Sequence, residues 1–132
     1  MDSTPLIDCI ASEQLEPVTA ALRSDGYTVL VLDGSTVHDG PSFRAAVSRD
    51  LLGAVTPALG WDACVDALRN RFDELESTRM AVLWTHAQRM LSGGLLDLLR
   101  ACDLLTSVAR DQYESGRTVI IRLLGDGANF PG

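Results

Sequence analysis

The 132-residue chain carries a formal net charge of −7, with a hydrophobic fraction of 46% and a charged fraction of 22%, which suits one globular domain with a single core. The charge argues against nucleic acid as a direct ligand, since phosphate binding needs a basic footprint, and permits a cationic protein partner. No apolar run approaches the roughly 20 residues of a membrane span. The start Met1-Asp2-Ser3-Thr4-Pro5 lacks the parts of a signal peptide, so the expected location is cytoplasmic, with no membrane partner.

In chain order, Glu13 to Arg23 reads as a helix interrupted near Pro17 and closed by Asp25-Gly26. Tyr27-Thr28-Val29-Leu30-Val31-Leu32 is the first of three nearly continuous apolar runs; the others are Met80 to Trp84 and Thr118 to Leu124. Continuous rather than alternating runs predict strands covered on both faces, hence parallel. Gly40-Pro41 opens a helix carrying Phe43, Ala46, Val47 and Leu51. After Gly60 a second helix follows, with Trp61, Cys64, Val65, Leu68, Phe72 and Leu75 on its apolar face. Residues 85–92 predict a short helix with Thr85 as N-cap. Beyond Gly93-Gly94 a long helix runs from about Leu95 to Ser115, burying Leu95, Leu98, Leu99, Cys102, Leu105, Val108 and Ala109. Gly116 ends it as a left-handed cap, and residues 125–132 read as a flexible tail. The order is α-β-α-α-β-α-α-β, an α/β domain.

Enzyme signatures are absent: the chain holds no GxxxxGK[ST], GxGxxG, GxSxG or HExxH. Cys9, Cys64 and Cys102 are odd in number and widely spaced, so reduced thiols are expected, and no metal spacing involves His38 or His86. Asp62, Asp66, Arg69 and Asp73 are spaced 4, 3 and 4 along the second helix. At about 100° per residue they make one polar ridge beside the apolar face. Asp62 and Asp66 repel mildly at i, i+4, and such a ridge is either a solvated surface or one used by a partner.

The segment Gly60-Trp61-Asp62-Ala63-Cys64-Val65-Asp66-Ala67-Leu68 resembles the signature helix of barstar-like proteins. The likeness extends over about residues 27 to 124, through Leu32-Asp33-Gly34-Ser35-Thr36-Val37, Phe43 to Leu52, Val82-Leu83-Trp84 and Val108 to Leu124. It implies a single barstar-like α/β domain over 1–132, with residues 1–26 as an N-terminal extension and a three-stranded parallel sheet packed with helices. It also implies an intracellular inhibitor of a ribonuclease or ribonuclease-type toxin, which blocks the active site by putting carboxylates where RNA phosphate would lie. Such a protein needs no cofactor and no metal and is not an enzyme.

By the same resemblance, Asp62 and Asp66 match the two aspartates of the family's binding helix, with Asp66 entering the ribonuclease active site. Asp111 matches an acidic contact on the last helix, and Gly60, Trp61, Val65, Arg69 and Asn70 complete the surface. Asp97 lies outside it and is expected to be silent. The chain departs from the family where Ala58 and Leu59 replace aromatics, where an asparagine is missing from a loop two residues shorter, and at Val65, which replaces an aromatic. These departures point to a cognate enzyme other than barnase. The alternative is a non-inhibitory interaction or regulatory module on the same scaffold.

Overall fold

The structure is a computed structural model that describes residues 6–53, 60–127 and 130. The three apolar runs become parallel strands: β2 (Thr28–Leu32), β3 (Arg79–Trp84) and β4 (Thr118–Gly125). A further strand, β1 (Ile7–Ala11), pairs parallel with β4, so the sheet has four strands in the order β1-β4-β3-β2 rather than the three expected. The missed strand belongs to the N-terminal segment. Its Ile7-Asp8-Cys9-Ile10-Ala11 lies at a sheet edge with Asp8 exposed, and it lacks the unbroken apolar run that marks a central strand.

Helices connect the strands: α1 (Leu15–Ser24), α2 (Gly40–Ala46), α3 (Trp61–Glu74), α4 (Met90–Gly93) and α5 (Leu95–Glu114). Pro17 does not interrupt α1, because it sits in the first turn, where a backbone N–H has no intrahelical acceptor to lose. Asp39 caps α2 by accepting from the Ser42 N–H at 2.9 Å, with Pro41 in the first turn. A π-helical turn, Val47–Leu51, continues α2. The short helix predicted at 85–92 is a 3₁₀ turn, Ala87–Arg89, leading into α4. Thr85 does not cap it; its hydroxyl instead accepts from the Gly34 N–H, tying the ends of β2 and β3 together.

The connection from β1 to β2 crosses two strands in one direction, and the later connections return one strand at a time. Right-handed crossovers then put α1 on one face and α2, α3 and α5 on the other. Burial follows this division. Met80, Val82, Trp84, Val119, Ile121 and Leu123 join one core with Phe43, Leu68, Phe72 and Leu105. Ala81, Leu83 and Leu124 are also buried but lie outside that cluster, on the face left to α1. Arg122, in the middle of the inner strand β4, stands in register with Asp8 of β1.

Trp84 is fully buried, its ring 5.0 Å from Phe43, which lies 6.0 Å from Trp61. Glycine is required at position 34, where a Cβ would come within 2.0 Å of the Thr85 carbonyl oxygen. Gly116 has φ of 84° and ends α5 as expected.

The buried face of α5 is corrected. Leu105, Val108 and Ala109 are buried as expected and Leu98 and Cys102 pack half-buried against the core, but Leu95 and Leu99 are exposed, and Ala101, Leu104 and Gln112 are buried as well. The leucines of its first turns spread over a broad arc, so periodicity alone does not phase them.

Candidate protein-binding site

Helix α3 starts at Gly60, which is exposed and whose carbonyl accepts from the Cys64 N–H at 2.9 Å. Asp62 occupies the first turn, where the helix dipole favours an anion. Cys64, Leu68 and Phe72 anchor the helix in the core, while Trp61 and Val65 are half-buried at its flank. Trp61 stacks on Phe43 and lies under the Arg44 guanidinium, 4.8 Å from its ring centroid, so it is a packed helix-start residue with one open edge.

The polar ridge exists, and arginine organises it. Arg69 donates from Nε to Asp111 Oδ2 at 2.8 Å, and its Nη2 lies 2.5 Å from the same oxygen. Its Nη1 reaches Asp66 Oδ1 at 3.5 Å. Two carboxylates from different helices, matched only by resemblance in the sequence, thus meet around one guanidinium. Asp66 remains the most open of the three, its side chain 72% exposed. Asp62 and Asn70 are exposed, and Asp62 forms no ion pair with the described residues. Asp73, expected as part of the ridge, turns to a second junction. It takes the Gln112 amide at 2.9 Å and Arg117 Nη1 at 3.0 Å, with Gln112 buried between the helices.

Helices α3 and α5 both return between parallel strands, so they run in the same direction. The two junctions pin their C-terminal halves. Beside the N-terminal half of α3 lies a groove of about 630 Å³ walled by Trp61, Asp62 and Val65 on one side and Arg100, Asp103, Leu104, Ser107 and Arg110 on the other. The α5 wall was not foreseen from the sequence. Its residues lie some forty positions from α3, and only the packing of α3 beside α5 brings them together.

Asp97 was expected to be silent, but its Oδ2 accepts from the Gly40 N–H at 2.8 Å and so holds the start of α2. Ala58 and Leu59 lie outside the described residues. All three cysteines are free. Burial, with lesser help from Cys9 and Asp103, pushes the Cys102 thiol up to about 11, and burial also raises Cys64 and Cys9. Thiols held protonated are poor nucleophiles. Among the described residues no group of three or more His, Cys, Asp or Glu could hold a metal ion. No helix of the described residues is long and apolar enough to cross a membrane.

No family model and no curated protein matches this chain. Solved structures do. A chain of the Drosophila ORC bound to AT-rich DNA and Cdc6 is 14% identical, with a TM-score of 0.56 over 95% of this chain and 41% of that one. A chain of Drosophila ORC bound to DNA matches at 14% identity and a TM-score of 0.55, over 95% of this chain and 68% of that one. A third, bound to GC-rich DNA and Cdc6, matches at the same identity and TM-score over 42% of its length. This chain therefore spans about two-fifths of the length of two of these neighbours. At such identity the likeness is one of fold: a parallel sheet flanked by helices.

Proposed function

We propose that this chain is a barstar-like inhibitor that binds a ribonuclease and blocks its active site with the acidic residues of α3. The observation that carries this reading is the cluster of Asp62, Asp66 and Asp111 on one open surface, with Asp66 at its crest. Carboxylates held in a row by two packed helices suit an enzyme groove lined with the cations that hold RNA phosphate. They would be pre-organised, because α3 and α5 are fixed at two junctions before a partner arrives. The net charge of −7 adds steering toward a basic enzyme.

The sequence resemblance implies a ribonuclease as the partner, and the exposed carboxylates of α3 and α5 support that reading. The DNA bound by the fold neighbours is not carried over, since 14% identity conveys fold alone and an acidic chain lacks a phosphate footprint. Non-inhibitory binding on the same scaffold has one observation in its favour: Arg69 already pairs closely with Asp111, leaving that carboxylate less available to a partner. Immobilising the full chain and passing native cell extract over it separates the two readings. Retention of a ribonuclease whose activity falls as chain is titrated in supports inhibition. Retention only of proteins without nuclease activity supports the alternative.

A further inference from the structure

The outward half of α5 is the most apolar exposed surface among the described residues. Leu95, Leu96 and Leu99, in its first two turns, are 62%, 63% and 54% exposed. At about 100° per residue, Leu96, Leu99, Arg100, Asp103, Ser107 and Arg110 share one half of the helix, opposite Ala101, Leu105, Val108 and Gln112. The exposed leucines thus run directly into the groove against α3. An apolar patch of this kind, rimmed by charge, marks an interaction surface.

Its charge says what fits. Arg100 and Arg110 line the groove with Asp62 and Asp103, and none of the four forms an ion pair with the described residues. On a chain of net charge −7 this face is locally neutral and carries both signs. A uniformly basic partner gains nothing there. A second copy does, because a two-fold interface sets each residue against its complement twice. Two acidic copies repel elsewhere, so a neutral apolar face is where they can meet at least cost.

We propose that this face is self-complementary and pairs with the same face of a second copy, α5 packed antiparallel to α5. With the two-fold axis between positions 101 and 102, Arg100 meets Asp103 of the second copy and Asp103 meets its Arg100. Leu99 then falls opposite Leu104 in the groove wall, and Leu96 opposite Ser107. The proposal does not rest on the ribonuclease reading, although Asp62 borders both surfaces.

The test is sedimentation equilibrium of the full chain from about 1 μM to about 1 mM. A monomer–dimer equilibrium is expected, with Leu96→Glu raising its Kd at least about tenfold. Arg100→Asp alone should weaken the dimer, and Arg100→Asp combined with Asp103→Arg should restore it, a rescue that a merely sticky patch does not give. Circular dichroism establishes that each variant is folded. A chain that stays monomeric throughout overturns the proposal. So does a dimer indifferent to Leu96→Glu and to the charge swap.

Discussion

Arg69→Ala removes the guanidinium that joins Asp66 to Asp111, and its consequences follow from the geometry. The Arg69 and Asp111 side chains are 40% and 38% exposed, so their pair is a surface one, worth about 0.2–1 kcal/mol. The paired contacts at 2.8 and 2.5 Å put it toward the upper end, while the 3.5 Å approach to Asp66 adds little. The replacement also leaves two carboxylates facing each other without a cation. The expected loss is about 1 kcal/mol at low salt, read as a fall in Tm of roughly 3–5 °C, and it should shrink as salt screens the pair. Urea unfolding followed by circular dichroism measures it, and a double-mutant cycle with Asp111→Ala isolates the coupling. If the ridge serves a cationic enzyme, the same variant should associate faster than the parent, because the surface becomes one unit more negative. A stability loss above about 3 kcal/mol would refute the surface-pair argument. Slower association would refute the assignment of Asp66 and Asp111 to the binding charge.

Three further outcomes are expected. Hydrogen bonds from the Ser35 backbone, from the Ser42 side chain and from Arg49 hold Asp33, Asp39 and Asp50, respectively, below the ordinary carboxylate value. Their folded-state values are depressed, so their contribution is complete above about pH 4 and is lost as pH falls through the lower folded values. Urea titrations at pH 6, 4 and 3 should show this fall, and Asp50→Asn should flatten it. Cys102, with its thiol near 11, should alkylate far more slowly at pH 8 than an ordinary thiol, and urea should abolish the difference. Asp97→Ala should lower stability by about 1 kcal/mol through the lost bond to the α2 N-terminus, where a purely solvated aspartate would cost nothing.

Much of the sheet was legible because two-sided burial writes itself into sequence. Met80 to Trp84 are apolar at successive positions and Val119 to Leu124 are so at all but Arg122, as strands covered on both faces require. β1 escaped because Asp8 interrupts its apolar run, whereas the equally short edge strand β2 keeps Val29-Leu30-Val31-Leu32 unbroken. The apolar face of α3 was read correctly at Cys64, Leu68 and Phe72, where polar neighbours fix the phase. On α5 the leucines at 95, 96, 98 and 99 spread over an arc of about 160°, too broad to single out one buried stripe, and the true phase is set further along by Ala101, Leu105 and the buried Gln112. The site divides the same way. Asp62 and Asp66 share a ridge by spacing alone, whereas the Arg69–Asp111 bridge joins residues 42 apart and needs the packed helices to appear.

The central claim is that Asp66 is the carboxylate a ribonuclease partner engages. The measurement that bears on it most directly is kinetic binding of the isolated partner to the parent chain and to Asp66→Ala, with Asp62→Ala and Asp111→Ala alongside. Asp66→Ala should cost several kcal/mol, about a hundredfold or more in Kd, because the enzyme's cations are left buried and unpaired. Asp62→Ala and Asp111→Ala should cost less. The fold of Asp66→Ala should stay intact, since that side chain is largely exposed. A folded Asp66→Ala chain that binds and inhibits the enzyme like the parent would contradict the account.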